Sequence, residues 1–412
     1  MNTQILPKIS KPALFVLYLI IFLGSAGFFI TIPAYVSLFL SNEHSMAIAK
    51  AMPLSQRREL FGIVMSAAPF LSMFFTPFIA RFADRFNRQW VMIACLAVAS
   101  LGFVLPVYAI ITGSVVLLFA GNMINSIGSA SQPIAQAILA DNSQGKNKAT
   151  LMSFVAVVMT AAMSFGPALG SKLLANYGVT GPFYACLLIA VVCGVLLLWI
   201  RCPQQVSVPN ENPFSLAAPL ERSKAGLLKC LWIVFLCQFS WSLYFQNISF
   251  IFPQTFHLSL ESSQYQYYMM AIGLVMMASL ILLPRIVLSW LPLARALKWV
   301  LTAAGVGMVL LAWTPTFVIH AVIMVFTAAM VALAFPLYIT ALSDRASDQD
   351  QGWAMALSSA MVGLAWTLTG YLTAIMVNVD VKLPTLVAAL GYAVALMLIP
   401  RTTTQQLKEA QV

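Results

Sequence analysis

Charged side chains are the scarcest feature of this sequence. Asp, Glu, Lys and Arg make up 8% of its 412 residues, whereas soluble proteins average about a quarter charged residues. Hydrophobic residues make up 61% of the chain, and a soluble fold could not solvate such a surface. The composition therefore predicts a protein that lies within a lipid bilayer.

Long polar loops are also scarce, because apolar stretches fill most of the chain. A helix needs about 20 apolar residues to cross the hydrocarbon core, and the stretches supply about twelve such spans. We place them at residues 13–40, 62–82, 90–112, 115–140, 149–175, 180–200, 230–256, 264–288, 297–313, 317–342, 353–377 and 382–400. The predicted fold class is an all-α polytopic membrane protein with twelve transmembrane helices.

One proline-rich polar interval divides these spans into two sets. We assign residues 1–200 to an N-terminal six-helix bundle, 201–229 to a central cytoplasmic linker, and 230–412 to a C-terminal six-helix bundle with a short cytoplasmic tail. This division predicts two similar bundles that rock about a central cavity and open it to either side in turn.

An internal repeat supports the division into two halves. Pro133 precedes Asp141 by eight residues at the end of the fourth span, and Pro336 precedes Asp344 by eight at the end of the tenth. Repeated spacing of this kind indicates two related halves with a pseudo-two-fold axis along the membrane normal.

The distribution of positive charge predicts the topology. The net charge is +10, but the basic residues fall in short loops rather than on one compact face, so we expect no nucleic-acid partner. If the amino terminus is cytoplasmic, most of the 22 lysines and arginines lie on the cytoplasmic side. We therefore expect a monomeric, multi-pass protein of a bacterial-type inner membrane with both termini in the cytoplasm.

Sequence patterns of enzymes and metal sites are absent. The chain has no Gly-rich phosphate loop, no His-Glu-x-x-His pair and no nucleophile elbow. Its six cysteines include no Cys-x-x-Cys pair, and we interpret them as small apolar residues. We expect a protein that is not an enzyme and that holds no metal or cofactor.

The loop between the second and third spans contains a recognisable motif. It runs from Ala80 to Gln89 as ARFADRFNRQ and resembles the signature of the major facilitator superfamily. Asp84, Arg85 and Arg88 match that signature, whereas residues 80 and 87 replace its two glycines and residue 89 replaces a basic residue. The resemblance implies a cytoplasmic gate, to which we assign Arg81, Asp84, Arg85 and Arg88. The alternative is a simple positive-inside anchor.

A second motif lies in the fifth span. The sequence Gly166-Pro167-Ala168-Leu169-Gly170 resembles the glycine-proline signature of the antiporter branch of that superfamily. We assign Gly166, Pro167 and Gly170 to a hinge where two helices pack closely; an ordinary contact between small residues is the alternative.

Together the two motifs resemble the twelve-helix drug:proton antiporter branch, which includes exporters of drugs, siderophores and other metabolites. One departure concerns Asn122, which stands where that branch usually has an arginine in the fourth span. The usual route of proton coupling is therefore in doubt.

Amides form a stripe along the fourth span. Asn122, Asn125, Ser129, Gln132 and Gln136 are separated by three or four residues, so they share one face of a continuous helix. Such a face is costly against lipid and must meet protein or a water-filled cavity. In the fold that the resemblance implies, the first, fourth, seventh and tenth helices line the substrate cavity. The alternative role is hydrogen bonding between helices.

Other spans add aromatic and polar candidates for the substrate cavity. The seventh span contributes Gln238, Trp241 and Tyr244, since aromatics beside an amide can stack on a flat solute and bind its polar edge. We add Thr31 and Tyr35 from the first span and Tyr338 from the tenth.

Fixed charge is missing from the middle of every span. His320 lies about one turn inside the tenth span, and we consider both a helix-end role and proton transfer for it. A cavity without fixed charge suits a neutral, zwitterionic or amphipathic solute.

These observations predict a secondary transporter of a small organic molecule that works by alternating access. We favour proton-coupled efflux of a drug-like compound or metabolite. The alternatives are an uptake symporter of the same fold for an amino acid or related metabolite and, more remotely, a membrane receptor that transports nothing.

Overall fold

The computed structural model describes residues 10–41, 52–142, 145–200, 202, 225–345 and 351–399. Within these ranges every regular element is a helix. The predicted all-helical membrane fold is confirmed. The 42–51 segment and most of the predicted linker lie outside the described residues.

Seven described helices precede the predicted linker. They are α1 (Lys11–Leu40), α2 (Leu54–Arg85), α3 (Arg88–Thr112), α4 (Val115–Gly128), α5 (Ser131–Asp141), α6 (Gly145–Tyr177) and α7 (Gly181–Trp199).

Six further helices are described, and the first of them begins at Ala225, inside the predicted linker. They are α8 (Ala225–Thr255), α9 (Ser263–Trp290), α10 (Leu293–Ala312), α11 (Phe317–Ser343), α12 (Gln351–Val379) and α13 (Leu383–Leu398).

The helices match the twelve predicted spans in order, with the fourth span divided between α4 and α5. In the described residues, 10 helices are long and apolar enough to cross a membrane. The remaining apolar elements are shorter: α13 has 16 residues, and the two pieces of the fourth span have 14 and 11.

Proline and serine explain the interruption of the fourth span. Pro133 has no N–H to donate to the carbonyl of Ser129, and a proline ring crowds the carbonyl four residues earlier. The backbone closes a tighter turn instead, in which the N–H of Gln132 donates to the Ser129 carbonyl at 3.0 Å and that of Ala130 to Ile127 at 3.2 Å. The hydroxyl of Ser129 also bonds back to the Ser126 carbonyl at 2.6 Å, a local bond that competes with a continuous helix.

Close packing of small residues joins α3 to α4. A Cβ atom on Gly102 would meet the backbone of Asn125, and one on Gly128 would meet that of Ala99. A Cβ on Gly121 would likewise clash with the ring of Pro106. Membrane helices approach this closely only where small residues leave room.

A single glutamine links the start of α3 to the end of α7. The side-chain amide of Gln89 donates to the carbonyls of Leu197 at 2.5 Å and Ile200 at 3.0 Å. Its Oε1 atom accepts from the backbone N–H of Cys202 at 3.0 Å. Gln89 thereby satisfies carbonyl groups that a helix leaves without partners at its C-terminus.

Polar contacts also join the helices that follow the predicted linker. The side-chain amide of Asn247 in α8 donates to the Val381 carbonyl at 2.8 Å and to the Thr385 hydroxyl at 3.1 Å. In α10, a Cβ atom on Gly307 would overlap the side chain of Thr327 in α11. A buried amide and close packing at a small residue thus join these helices.

Large apolar side chains lie on the outside of the helices. Ile111, Leu188 and Met397 have 73%, 65% and 81% of their surface exposed. In water such exposure would be costly, whereas hydrocarbon is a suitable solvent for these side chains.

The chain groups into two compact units. The first comprises Met1–Glu211 with His257–Leu274, and the second comprises Asn212–Phe256 with Val275–Val412. The unit boundary at Leu274 falls inside α9. The division at 201–229 into two six-helix bundles stays a prediction.

Candidate functional site

The first unit contains a cavity of about 140 Å³ beside the interruption between α4 and α5. Helices α1, α2, α3 and α4 and the first residue of α5 line it. Its polar lining consists of Ser72, Asn125, Ser126, Ser129 and Ser131, and its apolar lining includes Phe28 and Phe103. No charged side chain lines the cavity. Its volume is enough for about one aromatic ring and is too small for a complete drug-sized molecule.

Asn125 is the predicted site residue that lines this cavity. In the part of the chain that the structure describes, its side-chain amide has no hydrogen-bond partner. A polar group in this position is available to a solute or to water. Ser126 and Ser129 already donate their hydroxyl protons to backbone carbonyls at 2.7 and 2.6 Å, so they can only accept from a ligand.

Asn122 has a different environment, although it lies one turn earlier on the same helix. It is 3% exposed, and its amide donates to the carbonyl of Val64 in α2 at 2.7 Å. The structure therefore places Asn122 in an interhelical hydrogen bond and away from the cavity lining.

The two glutamines of the predicted stripe follow the interruption and contact other helices. Gln132 lies against Gly24 of α1, where its side chain would overlap an added Cβ atom. The amide of Gln136 points to the sulfur of Met159 in α6 at 3.5 Å. The turn between α4 and α5 thus divides the stripe, and Asn125 is its only amide that lines the cavity.

The two predicted residues of α1 are buried in the first unit. The hydroxyl of Thr31 donates to the carbonyls of its own helix at Gly27 and Phe28, both at 3.0 Å. Tyr35 is 1% exposed, and its ring meets Phe183 of α7 edge-on at 5.4 Å between centroids. Neither residue lines the cavity.

The second unit contains an array of amide and aromatic side chains centred on Gln238. The Gln238 amide of α8 donates to the hydroxyl of Tyr338 in α11 at 2.8 Å. Its Oε1 atom accepts from the indole N–H of Trp366 in α12 at 3.3 Å. The structure brings two predicted residues, Gln238 and Tyr338, into direct contact.

Trp241 and Tyr244 continue this array along α8. The ring of Trp241 lies 5.8 Å from that of Phe245 and 6.3 Å from that of Tyr244, and Phe245 lies 5.9 Å from Trp366. Trp241 is 3% exposed, and its indole N–H has no hydrogen-bond partner within the described residues. A buried donor of this kind is unusual, because most buried polar groups have a hydrogen-bond partner.

Helix α12 supplies polar residues that the sequence interpretation missed. The hydroxyl of Thr369 contacts that of Ser242 at 2.6 Å and accepts from the amide of Gln246 at 2.9 Å. Trp366, Thr369 and Thr373 are spaced three and four residues apart, so they follow one helical face. This spacing is the sequence pattern that could have predicted a polar face on α12.

A second cluster of the second unit surrounds His320 in α11. Its Nε2 atom lies 2.8 Å from the hydroxyl of Tyr244 in α8. Its Nδ1 atom lies 2.7 Å from the hydroxyl of Thr314, in the turn that precedes α11. The imidazole is 1% exposed, and the ring of Phe256 meets it edge-on at 5.0 Å.

The predicted gate lies where α2 ends and α3 begins. Asn87 caps α3, since its side chain accepts from the backbone N–H groups of Gln89 at 3.0 Å and Trp90 at 3.2 Å. Arg88 begins α3 and is 7% exposed. The side chains of Arg81, Asp84 and Arg85 lie outside the described residues, so the gate stays a prediction.

The glycine-proline motif packs α6 against α1. A Cβ atom on Gly166 would meet the side chain of Phe29, and one on Gly170 would overlap the carbonyl of Ile30. Pro167 lies inside the same helix. Because Gly166 and Gly170 have no side chains, α1 and α6 can approach closely. The role of this contact as a hinge stays a prediction.

The described residues contain no group of three or more His, Cys, Asp or Glu side chains placed to hold a metal ion. All six cysteines are free and buried. Outside the spans, burial raises the pKa of the Cys202 thiol to about 11, which keeps it in the unreactive protonated form at neutral pH.

Sequence comparisons identify related proteins over part of the chain. The profile of the Major Facilitator Superfamily matches residues 14–320. The class C tetracycline resistance protein of Escherichia coli is 27% identical over 212 residues, which cover 51% of this chain and 49% of that protein. The sugar efflux transporter A of Dickeya chrysanthemi is 23% identical over 196 residues, or 47% of each chain. This chain thus spans about half the length of these curated relatives.

Solved structures match over nearly the whole chain. A D-xylose-proton symporter has a TM-score of 0.72 at 16% identity and covers 94% of this chain and 98% of its own. The human organic anion transporter MFSD10 has a TM-score of 0.67 at 18% identity and covers 95% and 99%. At these identities the likeness shows the fold alone.

Proposed function

The chain belongs to the Major Facilitator Superfamily, and we propose that it exports a small organic molecule across a bacterial inner membrane in exchange for protons. The superfamily consists of transporters rather than enzymes. The proposed solute is neutral, zwitterionic or amphipathic and is drug-like or a metabolite. Alternating access of one binding site to the two sides of the membrane would move it.

The observation that carries this proposal is the uncharged cavity of the first unit. Hydroxyl groups and the amide of Asn125 line it together with aromatic rings. A few directional polar groups within an apolar lining are typical of small-molecule sites. With no fixed charge in the lining, a polyanion would lose its hydration without compensation.

The array of the second unit supports a solute with a flat apolar part. Trp241, Phe245 and Trp366 present adjacent rings, and Gln238 links Trp366 to Tyr338. Aromatic faces attract flat apolar groups, while the second N–H of the Gln238 amide can donate to an acceptor atom.

The names of the sequence relatives support export as the direction. One is a tetracycline resistance protein and another is a sugar efflux transporter. Among the residues of this chain, Gly166, Pro167 and Gly170 support the same branch by their resemblance to its motif. We also propose that the protein works as a monomer with both termini in the cytoplasm, and that Arg81, Asp84, Arg85 and Arg88 close the cytoplasmic side.

Solute flux in proteoliposomes tests the proposal. Purified protein would be tested with tetracycline, cationic dyes, sugars and amino acids under pH gradients of both signs. A proton antiporter accumulates solute on the acidic side, whereas a proton symporter accumulates it on the alkaline side, whichever way the protein is inserted. We expect accumulation in vesicles with an acidic interior.

Asn125→Ala, which removes the amide that lines the cavity, should lower this flux at solute concentrations below KM. Gln264→Ala is the control, because that exposed residue at the start of α9 belongs to neither polar group. Accumulation in vesicles with an alkaline interior would show that the protein is an uptake symporter and not an exporter. Failure to accumulate any of these solutes under either gradient would contradict proton-driven transport of them.

A further inference from the structure

The turn between α9 and α10 carries basic side chains without acidic neighbours in the sequence. Arg285 lies near the end of α9, and Arg295 and Lys298 lie in the first two turns of α10. Between Glu261 and Asp344 the sequence contains no acidic residue. Within the described residues, none of the three basic side chains makes an ion pair or a side-chain hydrogen bond. Their positive charge is therefore available to a partner outside the chain.

The other connections on the predicted cytoplasmic side contain both signs of charge. Asp84 accompanies the arginines between α2 and α3, Asp141 precedes the lysines after α5, and Asp344 follows α11. The predicted linker contains Glu211 and Glu221. The positive-inside rule accounts for basic residues in all of these connections. It does not account for the turn between α9 and α10, which alone among them has basic residues without an acidic one.

The basic side chains of this turn lie at the depth of lipid headgroups. Trp313 follows α10 at its opposite end, where the Nζ atom of Lys382 is 4.3 Å from the centroid of its ring. Arg295 precedes Trp313 by 18 residues, or about 27 Å of helix, which is close to the roughly 30 Å thickness of the hydrocarbon core. Arg285 and Lys298 each lie five residues from the end of their helix at the turn, so they reach a similar depth.

The surface around the basic side chains is exposed and partly aromatic. Arg295, Trp299, Thr302 and Val306 are all exposed and are spaced three or four residues apart, so they share one face of α10. Trp299 is 65% exposed, and Trp290 at the end of α9 is 83% exposed. Tryptophan is enriched at headgroup level, where its ring packs on acyl chains and its indole N–H can donate to a polar headgroup.

We propose that the cluster of Arg285, Trp290, Arg295, Lys298 and Trp299 binds the headgroup of one anionic phospholipid from the predicted cytoplasmic leaflet. A guanidinium group binds phosphate oxygens through two parallel hydrogen bonds, and an ammonium group adds a point charge. An anionic headgroup presents net negative charge to these cations. A zwitterionic headgroup brings an ammonium group that they repel.

The apolar side chains beside the cluster favour a lipid over a soluble phosphate compound. Leu282 and Ile286 lie one turn or less from Arg285 on α9 and are exposed, as Val306 is on α10. Acyl chains can pack along these side chains below the headgroup, whereas a soluble anion has no apolar part to place there. The lipid would hold the turn between α9 and α10 at a fixed depth in the membrane.

Native mass spectrometry of the full-length protein tests the site. Protein in detergent would be titrated with phosphatidylglycerol or with phosphatidylcholine that has the same acyl chains. We expect one phosphatidylglycerol to bind at least tenfold more tightly than phosphatidylcholine. Each basic residue near a membrane surface contributes about fivefold to the binding of anionic lipid. Arg285→Gln with Arg295→Gln should therefore weaken phosphatidylglycerol binding at least tenfold and leave phosphatidylcholine binding unchanged.

Lys11→Gln with Lys229→Gln is the matched control. Both lysines are exposed and lie on the same predicted side of the membrane, so this variant loses the same charge from elsewhere on the protein. It should bind phosphatidylglycerol as the wild type does. Arg285→Lys with Arg295→Lys keeps the charge and should keep the preference for phosphatidylglycerol, which provides a test if the glutamine variant fails to fold.

Three outcomes would overturn the proposal. Equal affinities of the wild type for the two lipids would leave the cluster as an unselective anchor. Equal losses in the arginine and lysine double variants to glutamine would show attraction by overall charge. Displacement of phosphatidylglycerol by millimolar inorganic phosphate would assign the cluster to a soluble anion. None of these measurements requires a transported solute, so they are independent of the proposed export.

Discussion

Asn122 and Asn125 lie three residues apart in α4 and have different partners. Asn122 donates to the carbonyl of Val64, whereas Asn125 lines the cavity of the first unit with its amide unpaired in the described residues. The same side chain should therefore contribute to stability at one position and to solute binding at the other.

Alanine substitution at each position separates these contributions. Asn122→Ala should lower the free energy of unfolding by about 1 kcal/mol, the value of an interhelical hydrogen bond in membranes. Asn125→Ala should leave stability within about 0.5 kcal/mol and raise the KM for the solute about fivefold, since it loses one hydrogen bond. Unfolding in SDS and initial transport rates measure the two effects. The reverse pattern would remove Asn125 from the proposed site.

Sequence periodicity could predict that Asn125, Gln238 and Tyr338 face protein, because polar side chains avoid lipid. It could not predict that Asn122 contacts a backbone carbonyl of α2, since that depends on how two helices pack. Trp366 was missed for a related reason: a lone tryptophan in an apolar span resembles an ordinary lipid-facing side chain until its partner, Gln238, is known.

At the scale of helices, close contacts of glycine hold α1 against α6. A methyl group on Gly170 would overlap the carbonyl of Ile30, whereas one on Gly194 in α7 would meet no atom within 4 Å. Gly170→Ala should therefore destabilise the protein by about 1–3 kcal/mol, the cost of overpacking. Gly194→Ala should cause no loss. Unfolding in SDS compares the two variants, and equal stabilities would show that the α1–α6 contact can relax.

The link between α3 and α7 depends on Gln89. Replacing it with leucine removes two bonds to the end of α7 and the bond to the backbone of Cys202. Burial holds the pKa of the Cys202 thiol at about 11, so at pH 8 roughly one thiol in a thousand is the reactive thiolate. In Gln89→Leu the Cys202 thiol should become exposed, so its pKa should fall towards the ordinary value. Its labelling at pH 8 should then increase about tenfold or more.

Mass spectrometry of the peptide that contains Cys202 would measure this labelling. Trp90→Leu is the control, because that neighbouring side chain is 61% exposed and does not bridge the two helices. Unchanged labelling in Gln89→Leu would show that other contacts hold the end of α7.

Twelve apolar stretches were enough to predict the order of the helices, because the hydrocarbon core sets their length. The interruption of the fourth span was not predicted, although Pro133 had been noted as part of the repeat. Proline alone does not interrupt a span here, since α11 continues through Pro336. At the fourth span Gly128, Ser129 and Ser131 flank the turn, and glycine and serine are poorer helix formers than the leucine and alanine that precede Pro336.

At the scale of the whole molecule, the distribution of basic residues predicts that both termini are cytoplasmic. A green fluorescent protein fused after Val412 should fluoresce, because it folds in the cytoplasm. Alkaline phosphatase fused after Gly178, in the turn between α6 and α7, should be active because it is exported. An inactive phosphatase at Gly178 together with a dark C-terminal fusion would reverse the topology.

The interrupted fourth span also has a consequence for biogenesis. Pieces of 14 and 11 residues are each too short for the roughly 20 residues that a translocon recognises as a span. Helix α3, joined to α4 through Gly102 and Gly128, would have to enter the bilayer first and retain its partner as a hairpin. Glycosylation mapping of nascent chains should show residues 115–141 inserting efficiently when α3 precedes them and poorly when it is replaced by an unrelated apolar helix.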